Sequence, residues 1–122
     1  MAKKILVIDD SKLNRNLLKS VLDGAGYLAS VACDGNEGLN MLHNEKFDLL
    51  VLDLILPGMD GFAVLTLIKS DPQLKSIPIV VLTARDSQEE HDEAISLGAR
   101  DCFVKYKFTH IELLKYLSLN FG

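Results

Sequence analysis

Five polar residues whose side chains suit phosphate chemistry follow short apolar runs in this sequence. They are Asp9 and Asp10, Asp53, Thr83 and Lys105. Carboxylates packed together repel one another unless a cation lies between them. Carboxylate oxygens with room for water favour Mg²⁺, and the sequence has no set of His or Cys residues with the spacing of a zinc site. The residue types therefore indicate a magnesium site with an ammonium and a hydroxyl group beside it.

These groups are the ones that phosphoryl transfer requires. Positioned positive charge stabilises the oxygens of the transferring group, and little covalent assistance is needed. One of the aspartates would be the nucleophile and form an acyl phosphate. A single aspartate after a strand is more often a turn or helix-capping residue. Suitable residues at four strand ends together favour a shared site instead.

The apolar runs before these residues are typical of strands covered on both faces of a sheet. Three runs are strong and two are weaker: residues 5–8, 49–52 and 79–82, and then 27–32 and 102–104. Between the runs the apolar period becomes helical. Helices are predicted over residues 11–23, around Leu39 and Leu42, from Phe62 to about Asp71, over 87–97 and over 111–121.

Three of the helices carry further signals. The first has an apolar stripe made of Leu13, Leu17, Leu18, Val21 and Leu22. The fourth is polar throughout its first half, so we expect it to be mobile or to face a partner. Thr109 is the predicted N-cap of the last helix.

Five strands alternating with five helices predict an α/β fold with a parallel sheet, right-handed crossovers and helices on both faces. In such a sheet, ligands bind outside the carboxyl ends of the strands, near the point where the strand order reverses. The polar residues would therefore converge on one small site.

The composition indicates one soluble globular domain. The chain has 122 residues, of which 48% are hydrophobic and 25% charged, and its formal net charge is -4. A mildly acidic chain without a stripe of Lys and Arg argues against nucleic acid or a membrane as a direct partner. The apolar runs are too short for a signal peptide or a membrane span. We expect a cytoplasmic protein in which Cys33 and Cys102 are buried thiols, and His43, His91 and His110 lie exposed on helices.

Four segments at the predicted strand ends match a known family. They are Asp9-Asp10, Asp53-Leu54-Ile55-Leu56-Pro57-Gly58-Met59-Asp60-Gly61, Thr83-Ala84 and Lys105. With these segments the sequence resembles the receiver domains of two-component response regulators over essentially its whole length. The resemblance implies a single receiver domain over residues 1–122, with a flavodoxin-like, doubly wound (βα)5 fold and strand order 2-1-3-4-5.

The resemblance also implies a role for each residue of the site. Asp53 would be the phosphoacceptor and a metal ligand. Asp10 would bind Mg²⁺ directly, Asp9 would bind it through water, and the backbone carbonyl of Ile55 would be a further ligand. Lys105 would pair with a phosphoryl oxygen.

The family's switch residues correspond to Thr83 and Phe103. The Thr83 hydroxyl would turn toward the phosphoryl group, and the Phe103 ring would become buried; the alternative is that Phe103 is a sheet aromatic packed in the core. Ile55 and Arg85 would border the path of the water that hydrolyses the acyl phosphate. Ile55 offers that water no hydrogen bond, and Arg85 would reach over the opening, unless both side chains point outward.

The sequence departs from the family at one position. The family usually has a proline in a cis peptide bond after the lysine, whereas Tyr106 follows Lys105 here. A cis bond before a residue other than proline costs about 2.5–4 kcal/mol. Either the site tolerates this cost, or the bond is trans and the loop before the last helix takes another course.

The implied function is that of a phosphoacceptor signalling switch. The aspartate would receive a phosphoryl group, with Mg²⁺, from a sensor histidine kinase or a histidine phosphotransfer protein, and this would alter the partner-binding face. Such a domain is regulatory rather than an enzyme, with only intrinsic Mg²⁺-dependent autophosphorylation and autodephosphorylation. Its output partner would be a downstream protein or an output domain outside this chain.

Three alternative functions predict sequence features that differ from those of this chain. A phosphohydrolase of the haloacid dehalogenase type would carry its nucleophile in an Asp-x-Asp pattern and normally a longer chain, whereas the two acids are adjacent here. A flavin-binding protein would have Gly, Ser or Thr after the first strand, where two carboxylates would repel a phosphate. A degenerate receiver, which binds partners without phosphorylation, would lack an acid, the threonine or the lysine, and none is missing.

Overall fold

A five-stranded parallel sheet organises the chain in the computed structural model, which describes residues 2–121. The strands are β1 (Lys4–Ile8), β2 (Leu28–Ala32), β3 (Leu49–Leu52), β4 (Ile79–Thr83) and β5 (Asp101–Val104). They pair in parallel in the order β2-β1-β3-β4-β5. The predicted fold class and strand order are confirmed.

Each strand is followed by a helix, and the five helices cover both faces of the sheet. They are α1 (Lys12–Gly24), α2 (Gly35–Asn44), α3 (Gly61–Ser70), α4 (Gln88–Ser96) and α5 (His110–Phe121). The first four begin at a side chain that accepts a hydrogen bond from a backbone N–H three residues later. At α5 the Thr109 hydroxyl accepts from the Glu112 N–H, and the Glu112 carboxylate accepts from the Thr109 N–H. This capping box confirms Thr109 as the N-cap.

The core lies in two layers, because successive residues of each strand face opposite sides of the sheet. Leu6 and Ile8 of β1 pack into the layer that includes residues of α2, α3 and α4. Ile5 and Val7 pack into the layer that includes residues of α1 and α5. Among the described residues, Ala94 is the only buried position of α4, so this polar helix contributes little to the core.

The apolar stripe of α1 is narrower than predicted. Leu18 and Leu22 are buried, whereas Leu13 is 71% and Leu17 44% exposed. The helix contacts the sheet along one row of residues about four apart, and the neighbouring leucines lie beyond that row on the outer surface. Within residues 2–121, no helix combines the length and apolar character that a membrane crossing requires.

Cys33 and Cys102 are only partly buried, which corrects the expectation that both would be buried thiols. Burial is still sufficient to raise the pKa of the Cys102 thiol to about 11. His43 is exposed, as predicted, and its Nε2 lies 2.7 Å from Oδ2 of Asp71. His91 and His110 are half-buried rather than exposed.

Gly61 closes the loop that follows β3. Its N–H donates to the carbonyl of Leu54 (3.0 Å). A Cβ at this position would lie 2.4 Å from the carbonyl oxygen of Asp53 and 2.5 Å from Cα of Leu54. Both are backbone atoms, so only a glycine lets α3 begin this close to the end of β3.

We therefore expect Gly61→Ala to lower the free energy of unfolding by about 2–3 kcal/mol, because the backbone must shift to remove the overlap. Urea denaturation measures this loss. Gly24→Ala is the matched control, since a Cβ at Gly24 meets nothing within 4 Å and alanine favours the helical end of α1. Equal unfolding midpoints for the two variants would contradict the proposed close approach.

Candidate functional site

Three carboxylates meet where β1 and β3 end. Asp9, Asp10 and Asp53 each have an oxygen within 4.8 Å of the others. Asp9 is 2% and Asp53 3% exposed, whereas Asp10 is exposed. The cluster is therefore two buried acids with a third acid at the surface beside them.

The sheet brings these acids together. β1 and β3 are neighbours in register, with Ile8 opposite Leu52. The ladder continues one residue beyond each strand, since the Asp53 N–H donates to the carbonyl of Ile8 (3.0 Å) and the Asp9 N–H to that of Ala32 (3.1 Å). The backbone of both buried acids is thus fixed by the sheet itself.

Lys105 forms an ion pair with both buried acids. Its Nζ lies 2.7 Å from Oδ2 of Asp9 and 2.8 Å from Oδ2 of Asp53. The backbone N–H of Lys105 donates to the carbonyl of Thr83 (2.8 Å), which carries the β4–β5 pairing up to this residue. The predicted convergence of Asp9, Asp53 and Lys105 is therefore present in the structure.

The environment of Lys105 favours its charged form. Burial lowers the pKa of the ammonium, but the hydrogen bonds and negative charges of Asp53 and Asp9 outweigh burial, and the pKa is raised above its usual value. Because it is raised on folding, the stability from this interaction is complete below the ordinary lysine pKa. It is lost only as the pH rises through the raised value.

The remaining donors distinguish the three acids. Oδ1 of Asp53 accepts from the Ile55 N–H (3.1 Å). Asp9 accepts from the Ser11 N–H and from the side-chain amide of Asn14. No hydrogen bond to the Asp10 carboxylate occurs within residues 2–121. Asn14 is not among the predicted site residues, and its one available signal is that it lies three residues after the capping Ser11, in the first turn of α1.

Thr83 and Ile55 flank the buried acids. Thr83 is fully buried, and its hydroxyl oxygen accepts from the Arg85 N–H (3.2 Å). Ile55 is 39% exposed, two residues beyond Asp53, so its apolar side chain lies at the surface near the site.

Phe103 lies on the opposite face of the sheet from Thr83. It pairs with Leu82 in register and shares the core layer of that residue, whereas Thr83 is one residue further along β4 and faces the other way. The Phe103 ring stacks on Phe108, with centroids 4.0 Å apart. Phe103 therefore does not lie beside Thr83 in this structure, and its partly buried ring packs against the core layer of Leu82. Cys102 occupies the face that Thr83 shares.

The loop after Lys105 turns without a cis peptide bond, since none occurs within the described residues. The Lys107 N–H donates to the carbonyl of Val104 (3.0 Å) and closes a turn. Tyr106, 70% exposed, donates its hydroxyl to the carbonyl of Ala84 (3.1 Å). Nζ of Lys107 lies 2.6 Å from Oδ2 of Asp86. These two contacts tie the loop after β5 to the loop after β4.

Arg85 does not reach over the site. Its Nη1 lies 2.6 Å from Oε2 of Glu90 on α4, and its side chain is exposed. The expectation that Arg85 shields the phosphoryl position is therefore corrected, because the acidic start of α4 holds its guanidinium.

The arrangement defines a class of protein: a parallel α/β domain with an acidic, lysine-bearing site at the strand ends that suits phosphoryl acceptance. A family model described as the response regulator receiver domain matches residues 5–118. The chain is 38% identical over 105 residues to the response regulator PleD of Caulobacter vibrioides, which covers 86% of this chain and 23% of PleD. The chain thus spans less than a quarter of the length of that relative.

Solved structures give the same result. The chemotaxis protein CheY4 of Vibrio cholerae superposes with a TM-score of 0.90 at 34% identity, covering 98% of both chains. The Mn²⁺-bound form of the response regulator Rcp1 has a TM-score of 0.80 at 30% identity, covering 94% of this chain and 88% of Rcp1.

The chain belongs to the response regulator receiver domain family. It is a phosphoacceptor switch of two-component signalling, and a receiver domain is a regulatory domain. Receiver domains of response regulators interact with histidine kinases and downstream effectors. The family resemblance inferred from the sequence is confirmed.

The Lys105 pairing predicts a large effect of Lys105→Met. Removing the ammonium leaves two buried carboxylates without their shared cation, so we expect the free energy of unfolding to fall by about 3 kcal/mol. Urea denaturation without divalent cations measures this loss. Lys107→Met is the control, because its partner Asp86 is exposed and such pairs contribute below about 1 kcal/mol. Similar losses in both variants would show that Lys105 does not stabilise the buried acids.

Proposed function

We propose that Asp53 is the phosphoacceptor of this receiver domain. The observation that carries this assignment is the Asp53 carboxylate itself, buried at the end of a central strand and paired with Lys105. A carboxylate oxygen of Asp53 attacks the phosphorus of a phosphohistidine, the P–N bond breaks, and the imidazole leaves with its electron pair and takes up a proton. The product is an acyl phosphate on Asp53.

The neighbouring residues take the other roles. Lys105 pairs with a phosphoryl oxygen, and the Thr83 hydroxyl turns to donate to another. Thr83 is one residue from Ala84, whose carbonyl is held by Tyr106. A movement of Thr83 toward the phosphoryl group therefore pulls on the contact between the two loops and changes the surface that they form.

The donor set fits Mg²⁺, because it consists of hard oxygen ligands and includes the unpartnered Asp10 carboxylate. Asp10 and Asp53 would hold the ion directly, Asp9 through water, and the Ile55 carbonyl would be a further ligand. When bound, Mg²⁺ neutralises charge on the phosphoryl oxygens. The Mn²⁺-bound relative supports a divalent ion in this family.

The partner that supplies the phosphoryl group is a sensor histidine kinase or a histidine phosphotransfer protein. We further propose that residues 1–122 form one receiver domain that acts in the cytoplasm without direct contact to nucleic acid or membrane. The net charge of -4 supports this. Its own chemistry is limited to Mg²⁺-dependent autophosphorylation and autodephosphorylation. The output is a downstream protein or an output domain outside this chain.

The assignment of Asp53 is tested by mass spectrometry. Incubation with Mg²⁺ and a small acyl phosphate donor should add one phosphoryl group to the wild-type protein at Asp53, and Asp53→Asn should abolish the addition. Asp60→Asn is the control, since Asp60 is an exposed cap of α3 outside the acidic cluster. A phosphoryl group found on another residue of the wild-type protein would overturn the assignment.

The lifetime of the acyl phosphate depends on Ile55. Hydrolysis needs a water held in line with the Asp53 carboxylate, and the Ile55 side chain offers no hydrogen bond to hold it. We expect Ile55→Asn to accelerate decay several-fold in Mg²⁺ after the donor is removed. Adding Arg85→Gln should change the rate little, because Arg85 pairs with Glu90.

Leu119→Asn controls for the loss of an exposed apolar side chain on a distant helix. The decay is followed by the remaining fraction of phosphorylated protein. An Ile55→Asn rate no faster than that of the control would disprove the role of Ile55.

A further inference from the structure

The Asp9 carboxylate is held by three donors, of which only Lys105 has a part in the chemistry described above. The Ser11 N–H donates to Oδ1 (2.9 Å), and the Lys105 ammonium lies 2.7 Å from Oδ2. The third donor is the side-chain amide of Asn14, whose Nδ2 lies 2.5 Å from Oδ2. A carboxylate only accepts hydrogen bonds, so this contact requires the NH₂ group of Asn14 to face Asp9.

The start of α1 fixes Asn14 in turn. The Asn14 backbone N–H donates to the hydroxyl oxygen of Ser11 (3.2 Å), and the Ser11 N–H donates to Asp9. Nη1 of Arg15 donates to the backbone carbonyl of Asp9 (2.8 Å). The first turn of α1 therefore holds both the backbone and the side chain of Asp9 in one orientation.

The adjacent acid, Asp10, has a different environment. Asp10 is exposed, and no hydrogen bond to its carboxylate occurs within residues 2–121. Asp9 is buried, and protein donors occupy both of its oxygens. The protein thus holds the Asp9 carboxylate with several donors, of which Asn14 is one, whereas the Asp10 carboxylate is available to a cation.

We propose that Asn14 is a positioning residue of the metal site, which keeps the Asp9 carboxylate aimed so that Asp9 serves a metal-bound water while sharing Lys105 with Asp53. This inference rests on the proposed binding of Mg²⁺. Without the amide, the Lys105 ammonium is the only side-chain donor on Oδ2 of Asp9 and draws that carboxylate toward itself. The Asp9 carboxylate is then turned away from the metal-bound water, and more of its negative charge is compensated by Lys105 instead of the cation.

The experiment measures Mg²⁺ affinity by titrating MgCl₂ into ¹⁵N-labelled protein and following amide NMR shifts. We expect Asn14→Leu to raise the dissociation constant for Mg²⁺ about tenfold, which is the scale found when the partner that orients a metal ligand is lost. Asn14→Gln keeps an amide donor and should recover part of the affinity. Asn16→Leu makes the same change two residues away at an exposed position of α1 and should leave the affinity unchanged.

The titration reports on folded protein, so a loss of stability alone does not move the dissociation constant. An Asn14→Leu affinity within twofold of the wild type would overturn the inference, as would an Asn14→Gln affinity no better than that of Asn14→Leu. A wild-type protein that binds no Mg²⁺ would instead overturn the proposed function. Phosphorylation of the wild type at Asp53 in the same buffer separates these two failures.

Discussion

The structure depends on one ammonium group shared by two buried carboxylates. Asp9 and Asp53 are almost fully covered, and two like charges at this depth are unfavourable without a cation. Lys105 supplies that cation from β5, although β4 lies between β5 and the strand that ends at Asp53. The parallel sheet makes this possible, because all of its carboxyl ends lie at one edge and a long lysine side chain spans the width of one strand.

The buried acids of the site are fixed by several backbone and side-chain contacts. The rim of the site, formed by the loops after β4 and β5, is held by few contacts. The acids are fixed by the sheet ladder, by the first turn of α1 and by the close approach of Gly61 to the end of β3. The rim consists of exposed contacts, Tyr106 with Ala84 and Lys107 with Asp86, above a helix that buries little. Exposed contacts of this kind contribute little free energy. A switch needs this contrast, since the reacting groups must stay in place while the adjacent surface changes at low cost.

The strand order 2-1-3-4-5 was implied only by the resemblance to the receiver family. Sequence periodicity predicted the strands and the convergence of Asp9, Asp10, Asp53, Thr83 and Lys105, because each follows from where a buried run ends. Periodicity did not predict which side chains face a given side of the sheet where a shift of one residue reverses the answer. Phe103 and Cys102 are neighbours on one strand, so a shift of one position reverses which of them shares a face with Thr83. Leu13 belongs to the apolar stripe of α1 in the sequence but is exposed, because apolar character does not distinguish the core row of a helix from the row beside it. Asn14 was missed because its contact joins the helix to a strand end, and such contacts have no sequence period.

Tyr106 stands after Lys105, where the family usually has a proline, and this position belongs to the loop and not to the acidic site. The position of Lys105 is set before the loop begins, by the hydrogen bond from its N–H to the carbonyl of Thr83. The bond to Tyr106 lies beyond that point, so a trans peptide there redirects the loop without moving the ammonium from the two acids. The change falls instead on the rim, where a tyrosine hydroxyl reaches Ala84, a contact that proline cannot make. The acidic site is therefore formed here without a proline after the lysine, and the residue at that position links the loop after β5 to the loop after β4.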